Sequence, residues 1–148
     1  MNLFLDCEFN SGFGDLMSMG ITSEDGNQEF YEEVALPEGT VIDPWVAEHV
    51  VPLMDGTGQS YSLFQNKLKR WLNKFPEIVV WVDHPADIEY FTRAINFGNG
   101  DWMRPKGQSM TFIVHDMISA KKSERPHHAL YDARAQRDSY LAKAGFEE

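Results

Sequence analysis

The sequence predicts an α/β protein, a mixed β-sheet flanked by α-helices in a single domain. Three observations carry this. Short runs suited to strands, MNLFLDCEF, EFYEEVAL and EIVVWV, open and punctuate the chain. Between and after them, apolar residues recur every three or four positions, the spacing of an amphipathic helix. A length of 148 residues suffices for one domain with a real core and is too short for two ordinary ones. Strands first, then strands alternating with helices, is the order of a sheet that starts antiparallel and carries helices on its faces.

Residues 1 to 9 read as the first strand. Gly12 and Gly14 mark a turn, and the apolar run Leu16 to Ile21 supplies a second strand. Asp25-Gly26 is a strong turn signal, so EFYEEVAL returns as the third strand of an antiparallel set. A connection rich in Pro and Gly follows, around a short helix from Pro44 to Val50 with Pro in its first turn. From Ser60 onward, Leu63, Phe64, Leu68, Trp71, Leu72 and Phe75 mark an amphipathic helix ending before Pro76. EIVVWV, apolar and β-branched, suits a buried central strand. Asp87 to Phe97 reads as a helix closed by Gly98, and MTFIVHDMIS as a further strand. ALYDARAQRDSYLAKAG is the last helix, with Gly145 near its end and Leu130, Ala133, Arg137 and Leu141 as its packing face.

Hydrophobic residues at 43% and aromatics at 13% exclude general disorder. No apolar run approaches bilayer length, and the opening residues lack the basic, apolar and small-residue succession of a signal peptide. A lone cysteine cannot form an internal disulfide, and Cys7 reads as a small buried hydrophobe. The expectation is a soluble cytoplasmic protein with no membrane partner. A formal net charge of −10 excludes a broad basic surface for nucleic acid. It leaves open an enzyme that grips one strand end, because metal ions held by clustered carboxylates invert the local field.

Such a cluster starts in the first strand. Residues two apart share one face of a strand, so Asp6 and Glu8 converge while Cys7 points away. Neighbouring carboxylates raise each other's proton affinity unless a cation or shared proton compensates. The pair needs a partner, and HHALYDA offers one. His127 follows Pro126 in a loop, and Asp132 lies in the first turn of the next helix, where an acid also suits the helix dipole. WVDHPADIEYF adds Asp83 at a strand end and Asp87 at a helix start; either reads as a cap or as a member of a site at the strand ends of the sheet.

This order of residues resembles the DEDDh family of 3′-to-5′ exonucleases, which have a ribonuclease H-like fold. Its D-x-E motif is matched by Asp6, Cys7 and Glu8, and its H-x-A-L-x-D-A motif by His127, Ala129, Leu130, Asp132 and Ala133. Its second motif, an Asp with an apolar residue three or four positions on, is matched by Asp87 with Tyr90 and Phe91. The preceding DHPA departs from the family pattern and leaves Asp83 as a rival. LDCEF with LMSMG, PWVAEHVVPLM and the short length look like the exoribonuclease AS group of that family, whose members prefer polyadenylate. The resemblance spans nearly the whole chain. It implies two divalent ions, Mg²⁺ or Mn²⁺, with Asp6 between them, Glu8 and Asp132 on one, Asp87 on the other, and His127 as general base. It implies as partner the 3′ end of a single-stranded nucleic acid, RNA before DNA. DNA, short oligonucleotides, or binding without turnover are the alternatives. Family members are often homodimers, a role open to Trp45 or Trp102.

Other residues carry two readings. Phe9 follows the first motif, where family members touch terminal nucleotides, and reads equally as core. Trp45 and His49, one helical turn apart, face substrate, a partner subunit or the core. His128 is expected in solvent or bonded behind the site. Lys67, Lys69, Arg70 and Lys74 track phosphates or form the solvated face of a helix, whereas Arg104, Lys106, Lys121, Lys122 and Arg125 approach the third motif and are better placed to guide a strand. Met17 and Met19 read as core. His115 beside Asp116 lacks the cysteine or histidine pair of a structural zinc site.

Overall fold

The computed structural model describes residues 1–56, 58–97 and 107–144. Gly98, Trp102, Arg104, Lys106 and Gly145, named above, lie outside the described residues. The strands are β1 (Asn2–Phe9), β2 (Leu16–Ser23), β3 (Glu29–Glu33), β4 (Glu77–Val82) and β5 (Ser109–Val114). The helices are α1 (Pro44–His49), followed by a 3-10 turn at Val51–Leu53, then α2 (Tyr61–Leu72), α3 (Pro85–Ile95) and α4 (Ala129–Ala144). The sheet runs β3-β2-β1-β4-β5. Its first three strands are antiparallel, as the Asp25-Gly26 turn requires, and β4 and β5 join in parallel. Gly26 takes the positive φ of 76° that such a turn asks of a residue without a Cβ.

Register assigns side chains to faces. Leu3, Leu5 and Cys7 of β1 join Phe64 and Leu68 of α2 and Phe91 of α3 in the main core. On the opposite face stand Phe4, Asp6 and Glu8, paired across β2 with Thr22, Gly20 and Ser18. These β2 residues are small, and α4 settles directly on them. A Cβ on Gly20 would lie 2.4 Å from the Leu130 nitrogen and 2.6 Å from the Ala129 oxygen. The outer contact is fixed by Arg134 of α4, whose Nε and Nη2 donate to the Glu29 carboxylate at 2.7 and 2.8 Å. Bidentate geometry of this kind gives orientation as well as energy.

The packing face of α4 differs from the expected one. Leu141 is exposed, and the buried residues are Ala129, Asp132, Ala133, Ala135 and Gln136. Beneath the start of the helix the sheet presents Ser18, Gly20 and Thr22, and the small Ala129 and Ala133 are buried where the two elements come closest.

Between Glu8 and Phe9 the β1–β2 register slips: Glu8 pairs with Ser18 and Phe9 with Leu16. Met17 is the extra residue of this bulge. Both methionines are buried, yet Met19 belongs to the main core while Met17 packs with Val46 and Val50 of the α1 region. A bulge re-aims a side chain in this way, and here it anchors α1 beside the upper end of β1.

Most helix starts follow their caps. Ser60 accepts from the Leu63 nitrogen at 3.2 Å, and Asp43 accepts from the Trp45 nitrogen at 2.9 Å. Leu63, expected on the buried face of α2, is exposed. The run MTFIVHDMIS leaves the sheet after Val114, where His115 Nδ1 accepts from the Met117 nitrogen at 2.9 Å and closes a turn.

Candidate metal centre and active site

The site arises where β1 and β4 part. Their parallel pairing covers only Asn2 to Phe4, so the upper half of β1 has no strand beside it on that side. The freed Cys7 nitrogen donates instead to Oδ1 of Asp87 at 3.1 Å. Asp87 is not a cap: α3 begins two residues earlier than expected, at Pro85, and His84 caps it, its Nδ1 accepting from the Ala86 nitrogen at 3.1 Å. The second-motif carboxylate is therefore spent on β1 rather than on its own helix.

Asp6, Glu8, Asp83, Asp87, His127 and Asp132 line one cleft, together with Phe9, Trp45, His84 and Ala120. The acidic groups fall into two sets. Asp6, Asp83 and Asp87 each place one carboxylate oxygen within 4.8 Å of the others, and so do Glu8 and Asp132 with a ring nitrogen of His127. Asp83 and Asp87 thus lie in the same set, side by side. Asp6 falls in the first set alone, although its expected place was between two ions.

His127 stands at the cleft edge with a positive φ of 73°, a conformation uncommon for a residue with a Cβ and one that collects at functional sites. Asp132 holds it there, its Oδ2 accepting from the His127 nitrogen at 3.1 Å. The ring meets Trp45 edge-on at 5.0 Å, and Trp45 stacks on His49 at 4.4 Å. Phe9 is half-buried and serves both readings: it stacks on Tyr90 at 4.5 Å within the core edge and also lines the cleft. His128 is not in solvent. It is 3% exposed, stacked on Tyr31 at 4.4 Å, with Nε2 3.4 Å from Asp55. The two adjacent histidines therefore face different surroundings.

The cleft is electrostatically incomplete. No lysine or arginine lines it among the described residues. Burial first, then repulsion from Asp87, Glu8, Asp132 and Asp83, raises the Asp6 carboxyl well above the usual range. Burial and then the Asp132 charge push Glu8 to about 8, and burial and then Asp83 push Asp87 to about 8. Burial likewise raises Asp83 and Asp132. Burial holds the Cys7 thiol high and hence unreactive. Oδ2 of Asp6 and Oδ1 of Asp132 are buried without a hydrogen-bond partner. Hard oxygen donors that repel one another and lack partners fit a divalent cation of the Mg²⁺, Mn²⁺ or Ca²⁺ type.

Two contributors were not foreseen from the sequence. Gln136 is fully buried and its Nε2 lies 3.5 Å from Oδ1 of Asp6; its position four residues after Asp132, on the same helix face, was the available signal. Gly20, paired with Asp6 across β1–β2, admits the start of α4, and only the long-range contact reveals its part.

Three antiparallel strands continued by two parallel ones, with helices on both faces and acids gathered at the carboxyl ends of β1 and β4, make a ribonuclease H-like α/β fold. No family model matches the chain, and no curated protein matches it. Among solved structures it is similar to the nuclease domain of 3′hExo, a DEDDh family member bound to rAMP. The similarity has a TM-score of 0.57 and covers 97% of this chain and 91% of that one at 11% identity. The chain has the fold of a DEDDh nuclease domain.

Proposed function

We propose that the chain is a metal-dependent 3′-to-5′ exonuclease that removes nucleotides from single-stranded nucleic acid, with RNA its main substrate. The observation that supports this best is the convergence of Asp6, Glu8, Asp83, Asp87 and Asp132 with His127 in one cleft that no lysine or arginine lines among the described residues. The structural neighbour, described as bound to rAMP, adds support for a ribonucleotide ligand. Divalent ions, which these carboxylates would hold, would supply charge compensation at the scissile phosphate and at the leaving oxygen.

The chain's own groups do the rest. His127 sits at the cleft edge, where an attacking water has access, and takes its proton. The water oxygen bonds to phosphorus as the bond from phosphorus to the 3′ oxygen breaks, and that oxygen takes a proton from solvent, giving a nucleoside 5′-monophosphate and a strand with a new 3′-hydroxyl. Asp132 fixes His127 through its backbone, and Gln136 steadies Asp6. Trp45 and Phe9 offer aromatic surfaces to the terminal bases.

The test is hydrolysis of 5′-labelled single-stranded RNA and DNA with Mg²⁺ or Mn²⁺, beside Asp6→Asn and His127→Ala. A ladder shortening from the 3′ end, faster on RNA, abolished by chelator and by Asp6→Asn, is expected. Loss of a general base reduces turnover by about 10²- to 10⁴-fold, which sets the result expected for His127→Ala. Well-folded protein that binds metal and cleaves neither strand would sink the proposal in favour of binding without turnover.

A further inference from the structure

A second groove, of about 490 Å³, lies between the segment 117–122 and the outer half of α4. Its character is opposite to that of the cleft. Lys121, Lys122 and Lys143 surround it, and Met117, Ala135 and Ala142 give it an apolar floor. Asp138 also borders it, but Arg137 holds that carboxylate at 2.9 Å. No ion pair engages Lys121 or Lys122 among the described residues. In a chain of net charge −10, three lysines around one groove form a local reversal of the field.

Both walls of the groove begin in the cleft. Ala120 lines the cleft and Lys121 follows it; Asp132 lies on the same helix three residues before Ala135. The walls are tied to each other. The Ser119 nitrogen donates to Ser139 Oγ at 2.9 Å, and Lys143 Nζ donates to the Met117 carbonyl. From Asp132 to Lys143 the helix rises about 16 Å, more than the reach of one terminal residue seated at the acids.

We infer that this groove holds the substrate strand on the 5′ side of the scissile bond. Backbone phosphates lie against Lys121, Lys122 and Lys143, and sugar or base covers the apolar floor. A polynucleotide has this same division into charged edge and apolar plane, and phosphate contacts are what set a strand's register on a protein. The inference rests on the proposed nuclease activity and makes strands longer than a dinucleotide the more tightly held substrates.

The test compares wild type, Lys121→Gln/Lys122→Gln, and a control with the same charge change at the end of α2 and just beyond it, Arg70→Gln/Lys74→Gln. KM and kcat are measured on a long single-stranded RNA and on a dinucleotide. Binding of the long strand in Ca²⁺ is followed by fluorescence anisotropy against salt. The groove variant is expected to raise KM for the long strand several-fold at unchanged kcat, leaving dinucleotide hydrolysis as in wild type. Each phosphate neutralised on a single strand contributes about 0.7 to the salt slope, so its slope should flatten by about 1.4. The control should match wild type in every assay. Equal KM and equal slope in groove variant and control overturns the inference and leaves the nuclease reading standing. A strand bound through the lysines but not hydrolysed by wild type does the reverse. An acidic protein segment as the true occupant would appear as the first of these outcomes.

Discussion

At the scale of single residues, the site is a set of charges that the protein alone does not balance. Glu8 and Asp87, both pushed to about 8, hold protons at neutral pH when no cation is present. Replacing Asp87 by Asn keeps an oxygen to accept from the Cys7 nitrogen and removes the cost of protonating this carboxyl on folding at neutral pH. Asp87→Asn is therefore expected to raise the melting temperature of chelator-treated protein, by about 2 to 4 °C for each kcal/mol of relief in a chain of this size. The same change should cost about a hundredfold or more in turnover, since metal-derived stabilisation is several kcal/mol and each factor of ten is about 1.4 kcal/mol. Calorimetry and the nuclease assay read the two effects separately. Trp45 makes the contrasting case: it is 50% exposed, and base stacking on an aromatic contributes about 1 to 3 kcal/mol. Trp45→Ala should raise KM about tenfold while leaving the thermal midpoint within about a degree, the range of a surface substitution. A drop in stability with unchanged KM would assign Trp45 to packing.

At the scale of elements, the site depends on how closely α4 approaches β2. Gly20→Ala places a methyl against the Ala129–Leu130 backbone and forces helix and sheet apart. Overpacking of this kind costs about 1 to 3 kcal/mol. The expected result is a lower melting temperature and a fall in activity larger than stability explains, because Asp132 and His127 move with α4. Normal activity in the variant would show that α4 tolerates the shift. This contact also marks where sequence reading stops. Asp6 and Glu8 were legible because a strand alternates, and His127 with Asp132 because a loop and a first helical turn have local signatures. The junction of Asp83 with Asp87, the buried place of His128 and the rotated face of α4 were not, because each is decided by a neighbour far away in sequence. Met17 left the face of Met19 for a similar reason: a bulge breaks the period of two on which the alternation argument rests.

At the scale of the whole molecule, the raised carboxyl pKa values couple folding, protons and metal. Glu8 and Asp87 titrate near 4 in the unfolded chain and at about 8 in the fold. The folded state therefore binds more protons between these values, and metal-free stability is highest below about pH 4 on this account and falls as pH rises toward 8. Divalent metal binds the deprotonated forms and should restore the loss. The increase in melting temperature on adding Mg²⁺ or Mn²⁺ is expected to grow from pH 5 to pH 8, with protons released on binding. An increase that does not vary with pH would place the metal elsewhere. One further property follows from where the pieces of the site lie along the chain. Gln136 and Asp6 are 130 positions apart, and His127 and Asp132 arrive with the same late segment. A chain still being translated carries Asp6, Glu8, Asp83 and Asp87 early, but neither the base nor Asp132. On the proposed reading, hydrolysis becomes possible only once synthesis has passed through α4 and the helix has docked over Gly20. On that reading, the order of manufacture itself would keep the unfinished chain inert beside the messenger that encodes it.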